Sequence, residues 1–407
     1  MKKCAIIISF GDNMEEKFVN RKYNFLKLLF LFVYIADALY YSYTSLFLSS
    51  LEFKEGIIGV IASITTITYL VVNPIWNIFA KNNKIIKYML MGIALASGVI
   101  IILYGNASTV EVIMLLTGML ACVIAPFYSL LDSHATVFCN KYNKEYSNIR
   151  VMGSIAYIIG SGIGGVLVDY IGYSNMFIIS GAIFILCSIF ILFLKTEPKV
   201  KEEQKRDFKA ILKNKWFYAY SLFYLFLVTL NNVGDSFVPL LFSKIKGLSA
   251  SDYGFIAALF VFVEVVVMFI LAKYFRKIRD LYLLILVVLG YFLKTFLLSF
   301  TSLPTPVLIV AACFRGVGWG TLLFVHMKYL VKLVGIHNVT SASLVLVFFS
   351  SVFQFLGSNL FGYLFENIGY DFSFRLISIL NISVGALFIV SRFIFERASS
   401  CKYLEEF

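Results

Sequence analysis

Runs of about twenty apolar residues recur along this chain with only short polar gaps between them, and that spacing fixes the solvent in which it folds. Hydrophobic residues make up 60% of the 407 and charged residues 14%, proportions a water-soluble domain does not have. A hydrocarbon core roughly 30 Å thick is crossed by about 20 residues of helix, because each backbone N–H and C=O must find its partner inside the segment. A closed barrel needs alternation with period two over short strands, and the sequence has none.

The pattern predicts helices near 24–50, 56–81, 85–104, 110–138, 149–171, 174–194, 216–242, 252–273, 281–300, 305–333, 340–365 and 372–395. Twelve spans put both termini on one side of the membrane. Of the 35 Lys and Arg, all but six fall in the N-terminal segment, the even-to-odd connections, the 195–215 linker and the tail. Only Lys54, Lys244 and Lys246 lie in the opposite loops, while Lys294, Arg315 and Arg375 lie within spans. Positive loops stay in the cytoplasm, so both termini and the linker are expected there, with the chain in the inner membrane. The formal charge of +12 is then the topology signal plus attraction to an anionic inner leaflet, and no nucleic-acid partner is expected.

The six cysteines (Cys4, Cys122, Cys139, Cys187, Cys313 and Cys401) are scattered without paired spacing. Neither a disulfide framework nor a metal is expected, and no cofactor. The opening Met1 to Phe10 is basic and then apolar, but no cleavage site precedes the acidic stretch from Asp12 to Glu16, so a signal peptide is not expected. Translation from Met1 and from Met14 are both compatible with this pattern.

The only long polar stretch between spans, Lys195 to Lys215, divides the spans six and six. The expected organisation is a cytoplasmic segment 1–23, a first half 24–194, the linker 195–215, a second half 216–395 and a tail 396–407. The halves resemble each other. Gly165-Val-Leu-Val-Asp169-Tyr-Ile-Gly172-Tyr173 ends the fifth span and Gly362-Tyr-Leu-Phe-Glu366-Asn-Ile-Gly369-Tyr370 ends the eleventh. Gly59-Val-Ile-Ala62 and Gly254-Phe-Ile-Ala257, at nearly the same separation, open the second and eighth. Such matches point to a duplicated six-helix unit. Six being even, the two copies share one orientation, an arrangement suited to alternating access.

Charge inside the bilayer costs about 2.5 to 3.5 kcal/mol at a helix centre, so intramembrane ionisable groups face a cavity or a partner. The chain carries Asp37, Asp132, Asp235, Glu264, Lys294 and Arg315 in such positions. Asp37 and Glu264 lie closest to mid-span and lead the set as proton-coupling candidates, followed by Asp235 and Lys294. Glu264 and Lys294 on neighbouring helices have a structural ion pair as their alternative. Lys294 sits about 9 Å of helix from the outer end and has snorkelling open to it. Arg315 lies among small residues in Phe314-Arg315-Gly316-Val-Gly318-Trp319-Gly320, either binding an anionic group of a solute or pairing with Asp235. His326 and His134 read more readily as hydrogen-bonded structural groups than as proton carriers. Tyr40, Asn231 and Asn232 add hydrogen-bonding groups that suit a polar cavity.

These residues resemble the major facilitator superfamily, in particular the branch of lactose permease and the nucleoside and phenylpropionate proton symporters, from about residue 25 to 390. The sharpest likeness is Asp132 followed by Tyr146-Ser-Asn-Ile-Arg150-Val-Met-Gly153-Ser154, similar to that branch's acid in the fourth helix and Arg-x-x-Gly opening of the fifth. The resemblance implies a substrate site at Asp132, Arg150 and the aromatic Tyr157. Gly254 with Glu264 ten residues on is similar to the eighth helix of the nucleoside and phenylpropionate members. Two departures stand out. The loop Asn77-Ile-Phe-Ala-Lys81-Asn-Asn-Lys84 lacks the family's acidic contact. Arg315 stands where those symporters commonly carry histidine, and Gly318 where lactose permease carries a carboxylate.

The expectation is therefore an all-α integral membrane protein of the major facilitator fold, twelve helices in two parallel six-helix pseudo-repeats. It is a secondary transporter, proton-coupled and monomeric, taking up a small polar solute such as a sugar, nucleoside or aromatic acid. Drug efflux and a non-transporting receptor are the alternatives. A membrane enzyme needs a clustered catalytic set at one interface, which this sequence does not supply.

Overall fold

The computed structural model describes residues 2–79, 83–194, 214–275 and 277–398. Most of the predicted 195–215 linker, the tail from residue 399 and residues 80–82 of the atypical loop lie outside the described residues. Every regular element among the described residues is helical. They are α1 (Lys2–Tyr41), α2 (Thr44–Ser50), α3 (Glu55–Phe79), α4 (Asn83–Gly105), α5 (Val110–Ile124), α6 (Phe127–Lys141), α7 (Ser147–Ile191), α8 (Lys215–Leu240), α9 (Ala250–Tyr274), α10 (Asp280–Leu298), α11 (Thr305–Val334), α12 (Val339–Asn367) and α13 (Tyr370–Ala398).

Eleven of the continuous helical segments are long and apolar enough to cross a membrane. One of them, the 45-residue α7, has a contour of about 67 Å at 1.5 Å per residue, more than twice the hydrocarbon thickness. Within it Gly172 takes φ 80° and ψ 167°, a region open essentially to glycine alone, and the chain turns there into two limbs. Those limbs are the predicted fifth and sixth spans, and twelve crossings result. The repeated motif has its explanation here, because the matching Gly369 between α12 and α13 also has positive φ, 106°.

Local signals set other boundaries. The Asn214 side chain accepts from the backbone N–H of Trp216 (2.9 Å) and Phe217 (3.3 Å) to start α8. Ser249 and Asp252 form a reciprocal capping box at α9. Pro126 separates α5 from α6 within the predicted fourth span. Pro239 lies near the end of α8, whose last turn widens into a π-helix over Leu241–Ile245.

Contacts divide the chain into two units. The first comprises Met1–Tyr41 and Val72–Lys201, the second Ser42–Val71 and Glu202–Phe407. In the first, α1 and α4 pack on α7 through small residues that let helix backbones approach without a strong hydrophobic drive between them. A Cβ on Gly160 meets Ala38 Cβ at 2.8 Å, and one on Gly98 meets the Gly181 carbonyl oxygen at 2.5 Å. Ser180 adds a buried bond to the Ala36 carbonyl at 2.7 Å.

In the second unit α8 packs on α12 and α13, and α11 on α9 and α10. The buried rings of Phe217, Tyr220, Phe223, Tyr291 and Tyr329 belong to one cluster there. The Ser42–Val71 segment docks on this unit at the first turn of α3. Glu55 accepts from Lys244 (2.8 Å) and from the Tyr370 hydroxyl (2.9 Å), while Glu366 accepts the Gly56 N–H (3.1 Å) and pairs with Lys54 (3.6 Å). One turn further on, α3 and α12 meet glycine to glycine. A Cβ on Gly362 falls 3.1 Å from Gly59 Cα.

The turn in α7 gives a direct test. A Cβ on Gly172 meets no atom within 4 Å, so Gly172→Ala acts through backbone strain alone and is expected to cost about 1–3 kcal/mol. Gly162→Ala, in equally open space within a helix, is expected to be neutral or to stabilise by about 0.5–1 kcal/mol. Thermal unfolding of the two purified variants in detergent compares them.

Candidate functional sites in the two units

In the first unit the polar side chains come in pairs set by helix periodicity. Tyr34 and Asp37 are three apart on α1, Tyr128 and Asp132 four apart on α6, and Tyr146 and Arg150 four apart at the start of α7, so each pair shares a face. The Tyr128 hydroxyl donates to Asp37 at 2.5 Å and the Tyr146 hydroxyl to Asp132 at 2.7 Å. The Arg150 guanidinium lies over the Tyr34 ring, 5.1 Å from its centroid, and that ring meets Tyr128 at 5.5 Å. All of these groups except the exposed Arg150 are half-buried.

Asp132 and Arg150, both expected at a substrate site, each have a tyrosine beside them: Tyr146 on the carboxylate and the Tyr34 ring under the guanidinium. Tyr157 lies two turns beyond Arg150 on α7, half-buried, with its carbonyl accepting the Ser161 hydroxyl. Tyr40 packs among Tyr104 and Phe177 at 5.6 and 5.8 Å, in an aromatic contact between helices. Sequence reasoning passed over Tyr34, Tyr128 and Tyr146. Their signal was the three- or four-residue spacing from a charged residue, hidden in a chain with 25 tyrosines.

In the second unit four charges from four helices meet. Asp235 of α8 receives Lys294 of α10 on one oxygen and the Nε of Arg315 (α11) on the other, the latter at 2.7 Å. Arg315 also faces Glu264 of α9 at 3.9 Å. Lys294 is only 1% exposed, so it does not snorkel: its ammonium turns inward because a carboxylate there compensates it more fully than a distant interface. Its partner is Asp235 rather than Glu264. Glycines make this meeting possible. Cβ atoms on Gly316 and Gly320 sit 2.7 and 2.9 Å from the Glu264 backbone, and one on Gly290 sits 2.8 Å from Gly318 N. The two cations and two carboxylates together are neutral.

Asn231 is engaged between helices. It is 1% exposed and donates to Asn381 at 3.2 Å and to the Leu227 carbonyl at 2.8 Å, holding α8 to α13. Asn232 lies on the same face of α8 as Asp235 and approaches Gln354 at 3.5 Å. His326 fits its structural reading, stacked on Tyr224 (4.4 Å) with Nδ1 2.8 Å from the Tyr220 hydroxyl.

Asp235 is the common counter-ion of two cations. Asp235→Asn is therefore expected to destabilise by about 3–5 kcal/mol, and adding Lys294→Met to it to restore part of that loss. Unfolding midpoints of the single and double variants in detergent measure the recovery. Equal midpoints would show that Lys294 does not depend on Asp235.

Comparison with known proteins agrees with this architecture. The Major Facilitator Superfamily profile matches residues 26–358. An uncharacterized transporter of Bacillus subtilis, YwbF, is 23% identical over 375 residues, covering 90% of this chain and 92% of its own. The Escherichia coli multidrug resistance protein MdtG is 27% identical over 232 residues, 54% of this chain and 56% of its own. The crystal structure of the nucleoside transporter NupG superposes with a TM-score of 0.77 at 14% identity over 90% of this chain and 98% of that one. The chain belongs to the Major Facilitator Superfamily and is a multi-pass membrane transporter, not an enzyme.

Proposed function

We propose that this transporter couples proton movement to the uptake of a small polar organic solute by alternating access. It works as a monomer in the cytoplasmic membrane with both termini and the 195–215 linker inside. The moving bodies are the halves 24–194 and 216–395. A sugar, a nucleoside or an aromatic acid fits the hydroxyls, rings and charges of the first unit, where Asp132, Arg150 and Tyr157 form the substrate site together with Tyr34, Tyr128 and Tyr146.

The observation that carries the coupling is the uneven grip of Arg315, 2.7 Å from Asp235 and 3.9 Å from Glu264. Asp235 is saturated by two cations and stays ionised. Glu264, 14% exposed, lies farther from Arg315 than Asp235 does and is the acid proposed to take up the proton. Its protonation leaves the four-residue set with one net positive charge and frees an edge of Arg315. Asp37 is a second proton carrier, since a neutral tyrosine hydroxyl and no cation holds it among the described residues. The likeness to MdtG supports a second reading, outward movement of an apolar solute by the same exchange.

Uptake by energised vesicles, over a panel of labelled solutes, tests the coupling. Glu264→Gln is expected to abolish accumulation against a gradient while solute exchange across the membrane continues. Accumulation at the wild-type level would sink the role of Glu264, and export of the panel instead of uptake would favour the efflux reading.

A further inference from the structure

One face of α1 changes character at the membrane surface. Lys17, Arg21, Leu28 and Phe32 follow one another at four, seven and four residues, so they line one side of the helix. All four are exposed, Leu28 to 51% and Phe32 to 38%. About 10 Å of helix separates Arg21 from Leu28, and the predicted span opens between them at residue 24. From residue 17 to 36 the chain carries Lys17, Arg21, Lys22 and Lys27 and no acid, the flanking ones being Glu16 and Asp37. Lys22 and Lys27 are laid on rings, 4.3 Å from the Phe18 centroid and 4.4 Å from that of Tyr23, which leaves Lys17 and Arg21 as the basic pair of the exposed face. The end of α7 supplies a second wall. Phe190 meets Phe25 at 6.2 Å and Phe32 at 6.3 Å, and Phe193, just past the helix, is 72% exposed. Lys87 of α4 donates to the Leu192 carbonyl at 2.5 Å and brings a third cation to this end of the seam.

Exposed apolar side chains thus stand at the level of the acyl chains, and cations stand one and two turns further out, at the level of the headgroups. We infer that the seam between α1 and the end of α7 binds an anionic phospholipid of the surrounding leaflet. Its phosphate diester meets Arg21 and Lys17, and its chains lie along Leu28, Phe32 and Phe193. The guanidinium offers paired N–H donors to two phosphate oxygens, and the ammonium adds a point charge. A zwitterionic lipid brings its own cation to the same place and gains less from the basic pair. A diffuse positive potential would draw anions to every lysine on this side of the protein, whereas the seam couples two particular cations to a place for the chains. The inference lies beyond the choice of transported solute, and the orientation proposed above decides only which leaflet supplies the lipid.

The test uses the full chain purified in detergent and titrated with phosphatidylglycerol or with phosphatidylcholine of the same acyl chains, and native mass spectrometry counts the lipid retained. Phosphatidylglycerol is expected to bind roughly tenfold to thirtyfold more tightly, the preference two basic residues at a membrane surface supply. Lys17→Gln combined with Arg21→Gln should remove that preference. Both positions are exposed, and an unchanged unfolding midpoint without lipid checks that the fold is kept. Lys144→Gln combined with Lys277→Gln removes the same charge from loops outside the seam and should leave the preference in place. sn-Glycerol 3-phosphate, a headgroup without chains, should not displace the bound lipid. Equal retention of the two lipids would overturn the inference, as would a preference that survives in the Lys17 and Arg21 double variant. Equal losses in the two double variants would show charge without a site, and displacement by glycerol phosphate would show an anion site without a place for chains, so either result also overturns it. Solute flux plays no part in the readout, so failure here leaves the transport reading standing, and failure of that reading leaves the lipid site.

Discussion

The hydrocarbon core offers no water to a backbone N–H or C=O, and everything else in this structure works within that constraint. Each span must close its own hydrogen bonds, and among the described residues departures from α-helix fall at Ser42 and Tyr43, at Gly172, at Pro126 and in the π-turn at Leu241–Ile245. Helices formed under this rule have no strong hydrophobic reason to associate, lipid being as apolar as leucine. Close packing has to come from shape. The glycines of α7, α11 and α12 supply it, and they do more than bring helices together. Gly316 and Gly320 bring the backbone that carries Glu264 against the helix that carries Arg315.

Once helices are that close, charge can be held inside the bilayer. The two units solve the problem in different ways. In the second, carboxylate meets cation, with Asp235 shared by Lys294 and Arg315 and with Arg315 also facing Glu264. Such a set is neutral, and Arg315 lies closer to Asp235 than to Glu264. In the first, tyrosines stand between the charges: two hydroxyls serve two carboxylates and one ring serves a guanidinium. A neutral donor stabilises a carboxylate without cancelling its charge, so this unit retains charges that a ligand or proton can answer. One half stores its charges in mutual pairs and the other keeps them available, a division of labour consistent with separate coupling and recognition sites.

Much of this was legible in the sequence because the bilayer imposes a long, one-dimensional signal. Span positions, the six-and-six division, the repeated Gly-Tyr reversals and the intramembrane charges follow from hydropathy, spacing and the cost of buried charge. The break at Gly172 explains why a strictly continuous helix count gives eleven where the sequence gives twelve. Partner choice was not legible. Lys294 had two acids and an interface open to it, and its near-complete burial beside Asp235 depends on how α8, α10 and α11 pack. Asn231 and Asn232 are adjacent in sequence, yet a helix turns them about 100° apart and they meet different partners, Asn381 on α13 and Gln354 on α12.

The sequence by itself determined that this chain spans a membrane many times, which residues are costly to bury and which glycines the backbone needs, because those properties depend on composition and local geometry. The tertiary structure decided which charge answers which. A carboxylate on one helix has several cations and hydroxyls in the chain that could satisfy it, and the choice is made by distances of a few ångströms between helices far apart in sequence. Asp132 and Arg150 show the difference most clearly: residue type and spacing marked both as polar site groups, but it took the folded helices to set a tyrosine against each of them.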